Sequence, residues 1–170
     1  MVVEVRVAGV ALDPAGQHVI LLKPIDASGR ASGVLPIWIG AQEATSILVA
    51  VEGAPVPRPL AHDLMRSVLE ALGAKVERVE VTRLEEGTFY AEVTISSAHG
   101  RRALDARPSD AVALAARTGA PIFVADAVMA EAEIPDVLGE VENGEDADEA
   151  ATIEEFGRFL ERVDPDDFRE

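Results

Sequence analysis

The hydrophobic period of this chain changes at Gly40, and that change constrains the fold more than any other feature. Before it, Val3, Val5 and Val7 alternate with Glu4 and Arg6, the period-two pattern of a half-buried strand. DPAGQ (13–17) has turn chemistry, and HVILLKP (18–24) is an apolar run placed to pair back as a hairpin. DASGRASG (26–33) reads as a longer turn and VLPIWIG (34–40) as a third short strand, in which Pro36 suggests an edge or a bulge. After Gly40 the apolar spacing becomes three and four. AQEATSILVAVEG (41–53) predicts a helix ending at a glycine, with Ala44, Ile47, Leu48 and Val51 as its stripe. APVPRP (54–59) is a connector. Ala61, Leu64, Met65, Val68, Leu69 and Leu72 then define an amphipathic helix over 60–73.

The period returns to two in KVERVEVTRLEEGTFYAEVTISS (75–97), read as two strands around EEG, and HGRRALDA (99–106) adds a turn and a short strand. RPSDAVALAAR (107–117) opens a helix that stops at Gly119, and PIFVA (121–125) is a short buried strand. Strands with helices set between them predict an α+β fold: one compact domain over 1–135 with a mixed, mostly antiparallel sheet and packed helices. Residues 136–151 have the high charge and low hydrophobicity of an acidic linker. In 152–170, Thr152 and Glu155 have capping-box spacing, and Ile153, Phe156, Leu160 and Val163 form a stripe, which predicts a C-terminal amphipathic helix. A helix of about 12 residues is marginal alone in water, so its stripe should pack on its own body or on a neighbouring subunit.

Charge is unevenly spread. The formal net charge of the 170 residues is -16, but residues 1–130 carry only -3 of it and residues 131–170 carry -13. The acidity therefore belongs to the tail, and it argues only weakly against a phosphate-bearing ligand on the body. Hydrophobic residues make up 48% of the chain and aromatics 4%, so the core should be aliphatic. The absence of cysteine excludes disulfides, thiolate metal sites and cysteine nucleophiles, and fits a reducing cytoplasm. No apolar run approaches the roughly 20 residues that cross a bilayer, so no membrane association is expected.

Two Arg-Pro pairs, Arg58-Pro59 and Arg107-Pro108, each introduce a helix. Proline suits the first helical position, which explains each Pro but not each Arg. A guanidinium beside the free N–H groups of a helix start makes an anion site. Equally, Arg107 can pair with Asp110 or Asp105, and Arg58 with Asp63, as surface ion pairs; spacing alone leaves both readings open. Ser109 reads more simply as an N-cap than as a nucleophile. His62, Asp63 and Arg66 share the polar face of the 60–73 helix, where they could polarise a water and clamp a phosphate or could simply be solvated. Trp38 reads as core or interface. Divalent-cation ligation by Glu43, Asp63, Asp105 or Asp110 depends on the fold gathering them.

LPIWIGAQEA (35–44), RPLAHDLM (58–65), EEGTFYAEV (85–93), DARPSDAVALAAR (105–117) and PIFVADAVM (121–129) resemble, in this order, the signature segments of the bifunctional nuclease family. EEFGRFLERVDPDDF (154–168) is similar to a C-terminal segment of many bacterial members. The resemblance implies a compact α+β domain that self-associates, as a homodimer or higher homo-oligomer, and hydrolysis of DNA and RNA with little sequence preference. The matching polar positions are Gln42, Glu43, Arg58, His62, Asp63, Tyr90, Arg107, Ser109 and Asp110. Taken as one site, His62, Asp63, Arg107 and Asp110 would be catalytic. Glu43, Asp63 and Asp110 would hold a divalent cation, Mg or Mn, and Gln42, Arg58, Arg66, Tyr90 and Ser109 would bind substrate. Binding of DNA or RNA should be weak and salt-sensitive, since few phosphate contacts are available. The competing expectation is a non-catalytic, self-associating regulatory module whose helix starts bind an anion or a protein carboxylate.

Overall fold

A computed structural model describes residues 1–26 and 33–136. The expected acidic linker (beyond Asp136) and C-terminal helix lie outside the described residues. Among the described residues, seven strands and four helices follow in the order β1 (Val2–Leu12), β2 (His18–Pro24), β3 (Leu35–Ile39), α1 (Ala41–Glu52), α2 (Ala61–Ala71), β4 (Lys75–Glu85), β5 (Thr88–Ser97), β6 (Gly100–Ala106), α3 (Pro108–Thr118), β7 (Ile122–Ala125) and α4 (Asp126–Ala132). The α+β expectation holds: the strands form one mixed sheet in the order β3-β2-β1-β7-β4-β5-β6. All neighbours are antiparallel except β4 and β7, which run parallel with Val79 opposite Ile122 and Val81 opposite Val124. The four-residue β7 joins two antiparallel meanders, since its other edge pairs with Val2–Val5 of β1.

Local chemistry accounts for the connections. Asp13 closes the β1–β2 turn by accepting the Gln17 backbone N–H at 2.8 Å, and its second oxygen accepts Trp38 Nε1–H at 3.0 Å, which fixes the role of the single tryptophan. The β4–β5 turn has two residues, Glu86 at φ 50 and Gly87 at φ 72, the doubly left-handed geometry of a tight hairpin. β2 has no polar face because both its faces are covered. Ile20 and Leu22 join the main core with Leu35, Ile37, Ile47, Val79, Val81, Val124 and Met129. Val19 and Leu21 join Val34 and Ile134 on the other side, beside Trp38.

α3 lies at the centre of the helical layer, against α1, α2, β4 and β5, with Ala111 to Ala115 all buried. Its small side chains let these neighbours approach closely. Pro108 takes the first helical position, so the cap is Arg107 and not Ser109 as the sequence suggested; no side chain bonds the cap. α4, which the sequence reading left unassigned beyond the PIFVA strand, buries Val128, Met129 and Ala132.

The orientation of α2 reverses the sequence expectation. His62 is buried at 7% exposure, whereas Leu64, Val68 and Leu72 of the apolar stripe stand 60%, 47% and 74% exposed. The reason is that α2 docks on α3 through its polar edge, where His62 meets Asp110 and Asp63 meets Arg117. Periodicity finds the two faces of a helix but not which one has the partner. Ile47→Ala in α1 should therefore cost about 2–5 kcal/mol, while Leu64→Ala should change stability by less than about 0.5 kcal/mol. Denaturant unfolding of the two variants, at a concentration where sedimentation shows a monomer, checks this, and a large cost at Leu64 would contradict the observed placement of α2.

Candidate active site

The starts of α1, α2 and α3 open on one cavity of about 780 Å³. Its walls are Leu60, Met65, Leu69, Val93, Ile95, Leu104 and Leu114, and its head is polar, carrying Glu43, Ser46, His62, Arg107 and Asp110. Each helix places a polar residue of its first two turns on the cavity, so the starts of three helices border the same region. Of the expected site residues, Gln42, Glu43, His62, Arg107 and Asp110 come together here.

A continuous chain of polar contacts runs across the head. Ser46 Oγ lies 2.9 Å from His62 Nδ1, and His62 Nε2 lies 3.0 Å from Asp110 Oδ1. Arg107 donates to both Asp110 oxygens, from Nε at 2.8 Å and from Nη2 at 3.2 Å, and its Nη1 reaches Glu43 Oε1 at 3.2 Å. Partial burial pushes the Asp110 carboxyl up, but hydrogen bonds from Arg107 and His62 and the Arg107 charge outweigh it and hold the group below its ordinary value of 3.8. Asp110 is therefore an ionised acceptor. Its bonds and charge, with a smaller contribution from Glu43, raise the Arg107 guanidinium above its ordinary value.

The other expected residues lie elsewhere. Asp63 caps the start of α2 by accepting the Leu60 N–H at 2.8 Å and with its other oxygen accepts Arg117 Nε–H at 2.7 Å. It works as a tie between α2 and the last turn of α3. Arg66 reaches the Arg117 carbonyl at 3.4 Å and faces a smaller pocket with Glu70 and Lys75. The Tyr90 ring lies under the Arg83 guanidinium, 3.9 Å from its centroid. Ser109 is buried and faces a separate pocket against β3. Arg58 is exposed in the connector and does not line the cavity. Among the described residues no three His, Asp or Glu side chains form a ligand group, and the trio of Glu43, Asp63 and Asp110 is split by the engagement of Asp63 with Arg117. Glu43, Asp105 and Asp110 line the cavity, with Glu43 and Asp110 at its polar head, and two carboxylates plus waters and a substrate phosphate would suffice for Mg²⁺.

Sequence reading missed two residues. Ser46 sits within the α1 stripe pattern between Ala44 and Ile47, and only its partner 16 residues away gives it a role. Arg117, whose side chain is 3% exposed, carries the conventional C-terminal signal of a basic residue in the last helical turn, but its pairing with Asp63 spans 54 positions.

Fold and site together describe one α+β domain with a polar-headed cavity at converging helix starts. The chain belongs to the bifunctional nuclease domain family, whose model matches residues 20–136. It is 43% identical over 172 residues to an uncharacterized protein of Mycobacterium tuberculosis, a match covering 98% of each chain. It is 29% identical over 115 residues to Bifunctional nuclease 1 of Oryza sativa subsp. japonica and 27% identical over 113 residues to Bifunctional nuclease 2 of Arabidopsis thaliana. These matches cover 66% and 65% of this chain but only 34% and 33% of the plant proteins. Among the described residues no helix is long and apolar enough to cross a membrane.

The Asp63 tie has a pH signature. Burial pushes its carboxyl up, but hydrogen bonds from the Leu60 N–H and Arg117, with the charges of Arg117 and Arg66, leave it below its ordinary 3.8. A depressed folded value contributes stability above the ordinary value, and that contribution disappears as pH falls through the folded one. Asp63→Asn should lower the unfolding temperature at pH 7, and its deficit should shrink as pH falls below about 4. A deficit that stays constant down to pH 2 would show that the charge of Asp63 is not what ties α2 to α3.

Proposed function

We propose that the cavity hydrolyses phosphodiester bonds of DNA and RNA with little sequence preference. The observation that supports this is the run of His62, Asp110 and Arg107 across a cavity head where three helix starts meet. The helix starts and the guanidinium favour the scissile phosphate, Arg107 offsets the charge that develops on its oxygens, and His62, held by Asp110, moves the proton. Apolar walls with few hydrogen-bonding groups suit a base without identifying it.

A divalent cation, Mg or Mn, belongs to the proposal. The charged groups lining the cavity are Glu43, Asp105 and Asp110 against Arg107, so, leaving His62 aside, the lining carries two negative charges in excess. Glu43 and Asp110 would hold the cation, which neutralises that excess and lowers the pKa of a bound water. Nucleic-acid binding should be weak and fall with salt, because few cations are available to contact phosphates.

Cleavage of single-stranded RNA and DNA by the purified chain, in Mg²⁺, Mn²⁺ or EDTA, tests the reading. His62→Ala should lower the rate about 100-fold or more, and Arg107→Ala should also lower it, with both variants folded by circular dichroism. Cleavage unaffected by either substitution, or none in any metal condition, would leave the binding module as the reading.

We also propose that the chain self-associates through α2. Leu64, Val68 and Leu72 are all exposed and spaced four apart on one side of α2, a contiguous apolar stripe left open to solvent. The double substitution Leu64→Glu with Val68→Glu should shift the full chain to a lower mass in sedimentation without unfolding it. An unchanged mass would place any interface elsewhere.

A further inference from the structure

The proton that His62 moves has one evident source. Asp110 is an acceptor only, so the Nε2 atom facing it at 3.0 Å must carry hydrogen in the neutral ring. Nδ1 is then the basic lone pair, and the atom it faces, at 2.9 Å, is Ser46 Oγ. The hydroxyl donates to the imidazole. A nucleophile, a base and a carboxylate that orients the base thus stand in sequence, recognised by geometry and not by position in the chain.

Ser46 also departs from the way serine and threonine behave elsewhere in these helices. Thr45 donates to the Ala41 carbonyl at 2.9 Å, Ser67 to the Asp63 carbonyl at 3.0 Å and Thr118 to the Leu114 carbonyl at 3.0 Å. Each follows the back-bonding habit of a hydroxyl inside a helix. Ser46 instead bonds across to α2, and it lines the cavity although it is only 7% exposed.

We propose that Ser46 is the nucleophile of this site and that cleavage proceeds through a phosphoseryl intermediate. This rests on the phosphodiesterase reading above. Ser46 Oγ attacks phosphorus, the bond from phosphorus to the leaving-strand oxygen breaks, and the hydroxyl proton passes by His62 Nδ1 to that oxygen. A water then attacks phosphorus and splits the Ser46 O–P bond, with its proton returning through His62 to Ser46 Oγ. The products are one hydroxyl end and one phosphomonoester end, and no further reactant is needed.

The test uses the full chain with an end-labelled oligonucleotide quenched in acid, and separately with a fluorophosphonate, a phosphoryl electrophile that needs no nucleic-acid recognition. Wild type should carry label on Ser46 with both reagents, found by peptide mass, and His62→Ala should abolish it. Ser46→Ala should lower cleavage about 100-fold or more. Ser46→Cys keeps nearly the same side-chain shape, so it carries the test should the alanine variant fail to fold, and it should accumulate an S-phosphorylcysteine adduct. A wild-type chain that cleaves while neither reagent marks Ser46 overturns the proposal and leaves the nuclease reading standing. If wild type cleaves nothing, the nuclease reading falls, and fluorophosphonate labelling decides for Ser46 alone: labelling that depends on His62 supports an activated serine, and no labelling overturns it.

Discussion

The burial of α3 is the constraint on which the rest of the helical layer depends. Ala111 to Ala115 are shut between α1, α2 and the sheet, so the polar residues at either end of that stretch must find partners or be left unsatisfied in a poorly solvated place. At the start, Asp110 takes His62 and Arg107; in the last turn, Arg117 takes Asp63 and the Ala113 carbonyl. Two polar clamps therefore bracket one apolar run. The clamp at the start of α3 is the head of the cavity, so the chemistry of the site grows out of the satisfaction of a buried helix.

That arrangement explains the orientation of α2. The helix has a strong apolar stripe, yet its inward edge carries His62, Asp63 and Arg66 because α3 offers ionic partners there. Leu69 goes inward with them and joins the fringe of the core, while Leu64, Val68 and Leu72 remain outside. Breaking such a pair from one side leaves a charge without its partner, a larger penalty than the pair's net contribution. Specific pairing thus overrides the bulk preference of a leucine-rich face for the interior, and the apolar cavity between α2 and the sheet is what the misfit leaves behind.

Local features were legible where the signal is local. The period of two in β1 and β5, the glycine ends of α1 and α3, the Asp13 turn and the Glu86-Gly87 hairpin all follow from residues within a few positions of one another. Sheet order was not legible, because β7 pairs with β1 across more than a hundred residues and nothing in IFVA distinguishes a central strand from an edge. The site divides in the same way. Arg107 and Asp110 are three apart and their pairing was among the readings open from spacing. His62 to Asp110 spans 48 positions and Ser46 to His62 spans 16, so those contacts exist only once α1, α2 and α3 are packed.

The contacts of Arg107 differ in worth from the His62–Asp110 contact beside them. The Arg107 side chain is 66% exposed, and ion pairs in such a setting contribute about 0–1 kcal/mol, so exchanging Glu43 or one Asp110 oxygen for a phosphate oxygen costs little. The His62–Asp110 contact is different: the histidine side chain is 9% exposed and has a partner on each ring nitrogen. Losing it would strand a carboxylate beside a buried ring. The site therefore has one fixed part and one exchangeable part. Ser46, His62 and Asp110 are bonded to one another in sequence, whereas Arg107 is the group whose contacts are cheap to exchange; in the proposed reaction an entering phosphate would take the place of one of its carboxylates. In that proposed reaction, pairing and binding would be successive states of the same guanidinium.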